Sequence, residues 1–245
     1  MSSATIFDRV AARYDAVWTN TAIGRAQRDL VWREMDALFQ TGERILDIGC
    51  GTGEDAAHFA QRGVTVYATD ASPAMVQVAQ ARGVAAVVCG AEELAQIGGT
   101  FDAAISNFGA LNCVEDLPAV AGALAALVRP GGSAAICLLG RFCAWETLYY
   151  AARLQFDKAF RRWRGNRVPY QGTMVHYPTA SEIHAAFKND FELQRWTGIG
   201  LCVPPSYIKM PAALVAVLAA CDRILARLPL LRALADHRLF LLVRK

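Results

Sequence analysis

The chain lacks the marks of several protein classes. No C-x-x-C pair occurs among its seven cysteines, at 50, 89, 113, 137, 143, 202 and 221. Their number is odd and several sit inside apolar runs, which is the thiol usage of a reducing compartment and argues against a disulfide framework or a metal site. The opening MSSATIFDRVAARYD alternates charged and apolar residues and contains no secretory core. The longest apolar run, Met210 to Cys221, is too short to span a bilayer. Net charge is only +3, so there is no overall attraction for nucleic acid. These absences predict a cytoplasmic protein, monomer or homodimer, with no metal and no nucleic-acid partner.

What is present is core material. Of 245 residues 54% are hydrophobic, enough for one α/β domain with an attached cap. Residues 5–39 carry apolar side chains at helical spacing, with Asn20 or Thr21 starting a second helix. From Glu43 the rhythm changes to short apolar strands alternating with amphipathic helices: RILDI, EDAAHFAQR, VTVYATD, SPAMVQVAQAR, AAVV, FDAAISN, DLPAVAGALAALV and SAAICLL. Ser72 and Pro73 supply an N-cap and a first helical residue. Such alternation predicts a parallel sheet with helices on both faces. After Gly140 it breaks. Residues 141–178 show no convincing strand, a helix over Thr179–Lys188 and a strand over Phe191–Thr197 follow, and an apolar helix over Ala212–Leu228 precedes a terminal strand, HRLFLLV. The expectation is a single domain over 1–245, whose helices 1–40 and insertions 141–178 and 199–235 form a cap.

The stretch LDIGCGTGED, from Leu46 to Asp55, places Gly49, Cys50, Gly51 and Gly53 in a strand-to-helix turn between carboxylates. A dinucleotide site uses similar geometry, so an NAD(P)-dependent oxidoreductase is the rival reading. Its fingerprint is G-x-G-x-x-G, however, and a pyrophosphate at a helix N-terminus would meet Asp47, Glu54 and Asp55. A cationic ligand such as S-adenosylmethionine reverses that objection. Asp70, ending the second strand, suits ribose hydroxyls in either case. Met75, in the next helical turn, reads equally as an adenine neighbour and as a core methionine.

RILDIGCGTGEDAAHFA, VYATDAS, CGAEEL, FDAAISNFGALN and LVRPGG resemble the successive motifs of class I S-adenosylmethionine-dependent methyltransferases. The opening FDRVAARYDAVW resembles the N-terminal helix of their small-molecule branch of the ubiquinone/menaquinone-biosynthesis type. The resemblance covers residues 5–140 and implies a Rossmann-like seven-stranded sheet of order 3-2-1-4-5-7-6 with the last strand antiparallel. It implies that Asp47, Gly49 and Gly51 hold the methionine part and that Asp70, with Ala71 beside it, holds the ribose. Ala91 and Glu92 would lie at the adenine, Asn107 would close the site, and Tyr14 would act as a lid. The family often has Asp where this chain has Gly90, which leaves the adenine amino group to a backbone carbonyl or to Glu92.

Methyl transfer from a sulfonium is an in-line displacement on an activated carbon, so alignment and dehydration matter more than a catalytic dyad. A base helps where the acceptor is a hydroxyl or a protonated amine. His176, expected in a loop beside aromatics, is the first candidate, ahead of Tyr170, Tyr177, Glu146 and His184; His58 reads as a surface residue. SNFGALN lacks the proline pair of exocyclic-amine nucleic-acid enzymes, and Cys113 lacks the preceding proline of cytosine C5 enzymes. Residues 141–170 carry seven basic groups against two acids, with aromatics that include Trp145, Tyr149, Tyr150, Phe156, Phe160 and Trp163. They read either as a solvated basic face over a core stripe or as an aromatic pocket with a basic rim. With the all-round apolar Ala212–Cys221, they favour a small hydrophobic or aromatic substrate, with contact to an anionic membrane surface as a further reading. A non-catalytic S-adenosylmethionine-binding partner protein is the remaining alternative.

Overall fold

Apolar residues on both faces of short β-branched strands build the centre of this chain. The structure, a computed structural model, describes residues 4–165, 167–170 and 173–245, with the side chains of Ala4, Thr5 and Tyr170 outside the described set. The strands are β1 (Arg44–Ile48), β2 (Thr65–Asp70), β3 (Ala85–Val88), β4 (Phe101–Ser106), β5 (Val128–Leu139), β6 (Arg167–Tyr170), β7 (Thr173–His176), β8 (Phe191–Ile199) and β9 (His237–Arg244). The helices are α1 (Ala4–Tyr14), α2 (Ala22–Met35), α3 (Glu54–Gln61), α4 (Pro73–Ala81), α5 (Leu117–Leu127), α6 (Ala144–Ala151), α7 (Phe156–Ala159), α8 (Arg161–Arg164), α9 (Ala180–Phe187) and α10 (Ala212–Leu225).

Seven strands form one sheet in the order β3-β2-β1-β4-β5-β9-β8, with β9 antiparallel to both neighbours. This is the expected topology; the last two strands carry higher numbers because β6 and β7 form a separate hairpin. Successive residues alternate between faces, as a pleated strand requires. Leu46, Ile48, Ala104, Ile136 and Phe240 pack toward α5 and α9, while Ile45, Ile105, Cys137 and Leu239 pack toward α2 and α3. In register, Asp47 lies beside Ala68 on β2 and Ile105 on β4. The carboxyl ends of these three strands therefore meet where the strand order reverses, the usual position of a ligand crevice in such sheets.

Local chemistry sets the element boundaries. The Thr21 and Ser72 hydroxyls accept from the amides of Gly24 and Met75 as N-caps. Thr179 and Glu182 close a capping box on α9. The strand-free expectation for 141–178 is corrected by the β6–β7 hairpin. Pro169 sits in β6 opposite Met174, and of the seven hairpin residues whose side chains are described only Val175 belongs to the buried core. Without a buried face there is no alternation to read.

Candidate active site

The turn after β1 brings backbone rather than side chains to the crevice. Gly49, Gly51 and Gly53 all have positive φ, at 71°, 56° and 78°. A Cβ on Gly49 would overlap the Ala110 methyl, whereas one on Gly51 would point into open space. The cavity at this turn is lined by Gly49, Cys50 and Gly51 and, beyond β2, by Asp70, Ala71 and Met75. Ala91, Glu92 and Asn107 line its other walls, and Tyr14 lines it from α1. Nine of the eleven residues expected around the cofactor thus share one cavity. Gly53 instead caps α3 and packs against Ala79 and Val84. Asp47 lies directly beneath the turn, 1% exposed, and neither carboxylate oxygen has a hydrogen-bond partner.

Burial holds the Asp47 carboxyl well above the usual carboxylate range, and nearby Asp55 adds to the effect. Asp70 is raised by burial in the same direction, although its Oδ2 accepts the Gly51 amide and its Oδ1 the Ser72 amide, both at 2.8 Å. Met75 is packed in the core, 1% exposed, and also lines the cavity. Glu92 Oε1 accepts the Glu115 amide, and the Gly90 amide donates to Glu93.

Arg28 is the residue that pattern reading missed, and Asp55, read only as an acid against an anion, is its partner. Arg28 Nη1 lies 2.6 Å from Asp55 Oδ1 in a buried ion pair. Trp32 Nε1 and Asn107 Nδ2 donate to the same carboxylate at 2.7 and 3.1 Å. The guanidinium carbon sits 4.9 Å from the ring centres of both Trp18 and Phe108. Phe108 has a left-handed φ of 50°, sparsely populated for a side chain of its size. Arg28, Trp18 and Phe108 all line the cavity, so the strained residue faces the ligand space. Glu54 pairs with Arg82, which also holds Asp15. Both acids at the start of α3 are therefore paired with arginines, and the carboxyls left without a cationic partner at this turn are Asp47 and Asp70.

His176 is not brought to this cavity. It ends β7 rather than lying in a loop, its Nε2 is buried without a partner, and burial lowers the ring's proton affinity. The connection is indirect, through the Asn112 side chain donating to its carbonyl. Tyr14 does face the cavity, and burial pushes its phenol up to about 12, which makes it a hydrogen-bond donor at neutral pH. His58 is part-buried, stacked on Trp32 at 3.8 Å and held by Asp36. Glu146 and Tyr177 are buried among Arg161 and Arg162. No group of three or more potential metal ligands occurs among the described residues.

A family model described as a methyltransferase domain matches residues 23–194. The chain belongs to the methyltransferase-domain family. It is 33% identical over 153 residues to a demethylmenaquinone methyltransferase of Paenarthrobacter aurescens, covering 60% of its own length and 59% of the relative's. It is 40% identical over 136 residues to the corresponding protein of Beutenbergia cavernae, covering 53% and 54%. The chain thus spans little more than half the length of these curated relatives. Its fold is that of an S-adenosylmethionine-dependent methyltransferase from Mesorhizobium loti, at a TM-score of 0.60 and 20% identity, over 88% of this chain and 98% of that one. The residues at the crevice suit the expected S-adenosylmethionine: bare backbone at Gly51, a buried unpartnered carboxyl at Asp47, and Asp70 at the β2 end.

Proposed function

We propose that the chain transfers a methyl group from S-adenosylmethionine to a small aromatic or otherwise apolar acceptor. The observation that carries this reading is the composition of one cavity. One wall is the glycine turn with Asp70; the other is aromatic, formed by Phe7, Tyr14, Trp18 and Phe108. The cofactor supplies a methyl group on a sulfonium, which leaves as a neutral thioether.

The chain's own residues bind and align. Each Asp70 oxygen already accepts one amide and retains a second lone pair for a ribose hydroxyl. Asp47 offers a carboxylate to an ammonium. Arg28, steadied by Asp55 and two aromatic rings, offers the rest of its fork to a carboxylate. Tyr14 donates from the lid. Alignment of this kind is worth on the order of 7–11 kcal/mol. Among the described residues no histidine lines the cavity, which favours an acceptor that ionises without an adjacent imidazole. A hydroxylated aromatic such as a quinol meets that requirement, and the names of the relatives at 33% and 40% identity support the same class.

Calorimetry with S-adenosylhomocysteine and with NAD tests the site, and transfer of labelled methyl to a dihydroxynaphthoquinone in its reduced form tests the chemistry. Binding of the first ligand alone, with label in the quinol, is the expected result. Tight NAD binding would overturn the reading. Donor binding with no transfer to any of a panel of phenols and quinols would identify a non-catalytic binder. Arg28→Met is expected to weaken S-adenosylhomocysteine binding by about tenfold or more, the scale of a lost charge-assisted contact.

A further inference from the structure

Helix α10 is built the wrong way round for a surface helix. Its one acid, Asp222, is 2% exposed and turned inward, where it accepts the amides of Leu201, Cys202 and Val203. Val215, Ala219 and Ala226 lie on the same inner stripe, and Val215 and Ala219 pack near Ile23. The outward stripe is apolar throughout. Ala213, Val217, Ala220 and Ile224 follow one another at spacings of three or four, with Leu214 alongside. Val217 is 59% exposed and Ile224 70%, and beyond the helix Leu230 reaches 86%. Contiguous apolar surface of this kind on a globular protein marks a contact face.

The charges around the stripe identify what it contacts. Between Leu193 and Lys245 there are eight basic residues and two acids; both acids, Asp222 and Asp236, are buried, and of the basic residues Arg238 is buried too. The groove along the flank of α10, between it and α2, is lined by Arg25, Arg33 and Arg223 with one carboxylate, Asp29. Arg25 donates to the Asn20 amide oxygen rather than to an acid. Lys209 precedes the helix and Arg227 follows it, the latter paired with Glu34. A second copy packed antiparallel on this stripe would set Lys209 against Arg223, like charge on like. An anionic lipid surface meets the same groups with opposite charge.

We propose that the outward stripe of α10, with the Leu228–Leu230 turn, is a peripheral docking surface for anionic membrane. The helix lies in the interface plane, Leu214, Val217 and Ile224 enter the acyl boundary, and Arg25, Arg33 and Arg223 reach headgroup phosphates. At fourteen residues the helix lies on the membrane without crossing it, in keeping with the absence of any helix long and apolar enough to span among the described residues.

Flotation of the full chain with vesicles decides the matter. One set is phosphatidylcholine alone; in the other, one lipid in four is phosphatidylglycerol. The chain is expected to float with the anionic set only and to be released by salt. The Val217→Asp/Ile224→Asp double variant is expected to reduce partitioning by about tenfold or more, and Arg223→Gln by about fivefold, the electrostatic share of one arginine near such a surface. Both variants should retain S-adenosylhomocysteine binding, which separates this proposal from the assignment of the active site. No flotation with either set would overturn it. So would flotation that the aspartate pair leaves unchanged, or a dimer in gel filtration that the pair dissociates.

Discussion

Asp47 has no hydrogen-bond partner for either oxygen and is almost wholly buried. An orphaned buried carboxyl costs about 1–3 kcal/mol, and it stays in a fold when a ligand uses it. Its raised folded value sets the sign of its effect on stability. Asp47 is least costly below the unfolded value of 3.8. As pH rises above that value, the unfolded chain ionises first and stability is lost until the folded value is passed. Asp70 contributes a remainder of the same sign. Asp47→Asn is therefore expected to flatten this part of the stability–pH curve and to raise stability at neutral pH by about 1–3 kcal/mol. Urea melts across the pH range measure this. The same variant should bind S-adenosylhomocysteine about tenfold more weakly, since roughly 1.4 kcal/mol is tenfold in an equilibrium constant and a charged contact exceeds that. Wild-type binding should also release a proton, visible as a dependence of calorimetric heat on the buffer, and the variant should not. A variant that lost stability while keeping full affinity would make Asp47 an ordinary buried residue.

Elements join these residues through contacts that local sequence does not announce. The strap from α1 into the following turn is tied across the cavity at two points. Asp8 Oδ1 accepts the Ser72 hydroxyl at 2.6 Å and the Ala74 amide at 3.1 Å, where α4 begins. Asp15 Oδ1 accepts the Thr52 hydroxyl at 2.7 Å. Asp8 thus acts as a second cap on α4, from a distant segment, and its charge suits that helix end. Asp8→Ala is expected to speed amide exchange through residues 4–19 and to weaken S-adenosylhomocysteine binding by about fivefold to tenfold, the scale of a lost cap. Asp8→Asn keeps an acceptor and should lie between. Exchange measured by mass spectrometry with and without ligand is the check; a strap as protected in Asp8→Ala as in wild type would rule out the tether. The strand–helix alternation, the Ser72–Pro73 helix start and Asp70 were legible because each depends on neighbours a few residues away. The pairing of Arg28 with Asp55 was not, because helical periodicity assigns Arg28 to a polar stripe and says nothing of Trp18, Phe108 and Asp55 enclosing it. The β6–β7 hairpin was hidden for the reason its sequence shows: a proline in the ladder and a single core side chain among the seven that are described. His176 drew attention by its residue type among aromatics; its placement was set by the ladder to Arg167.

At the scale of the whole molecule, the segment after β5 is fastened to the sheet by buried charge. Glu146 is 1% exposed and accepts from Arg161 at 2.8 and 2.9 Å and from Arg162 at 2.9 and 3.1 Å. Arg162 also lies 3.0 Å from Asp236, immediately before β9, and donates to the Gly140 carbonyl where β5 ends. The two arginines that the sequence offered either to a solvated basic face or to the basic rim of a pocket are thus the anchor of the segment. Such a cluster stabilises little compared with a well-packed apolar core, but losing one member strands the others in a low-dielectric interior. Glu146→Gln keeps the volume and removes the counter-charge of two arginines, and it is expected to cost about 3–5 kcal/mol. Because the cluster joins α6, α8 and the start of β9, we propose that cap and sheet unfold together. Near-ultraviolet and far-ultraviolet dichroism should then report one urea transition in the wild type, displaced but still single in the variant. An early near-ultraviolet transition with the sheet intact would show instead that residues 141–165 form a separate cooperative unit, and the cluster would be a local clasp.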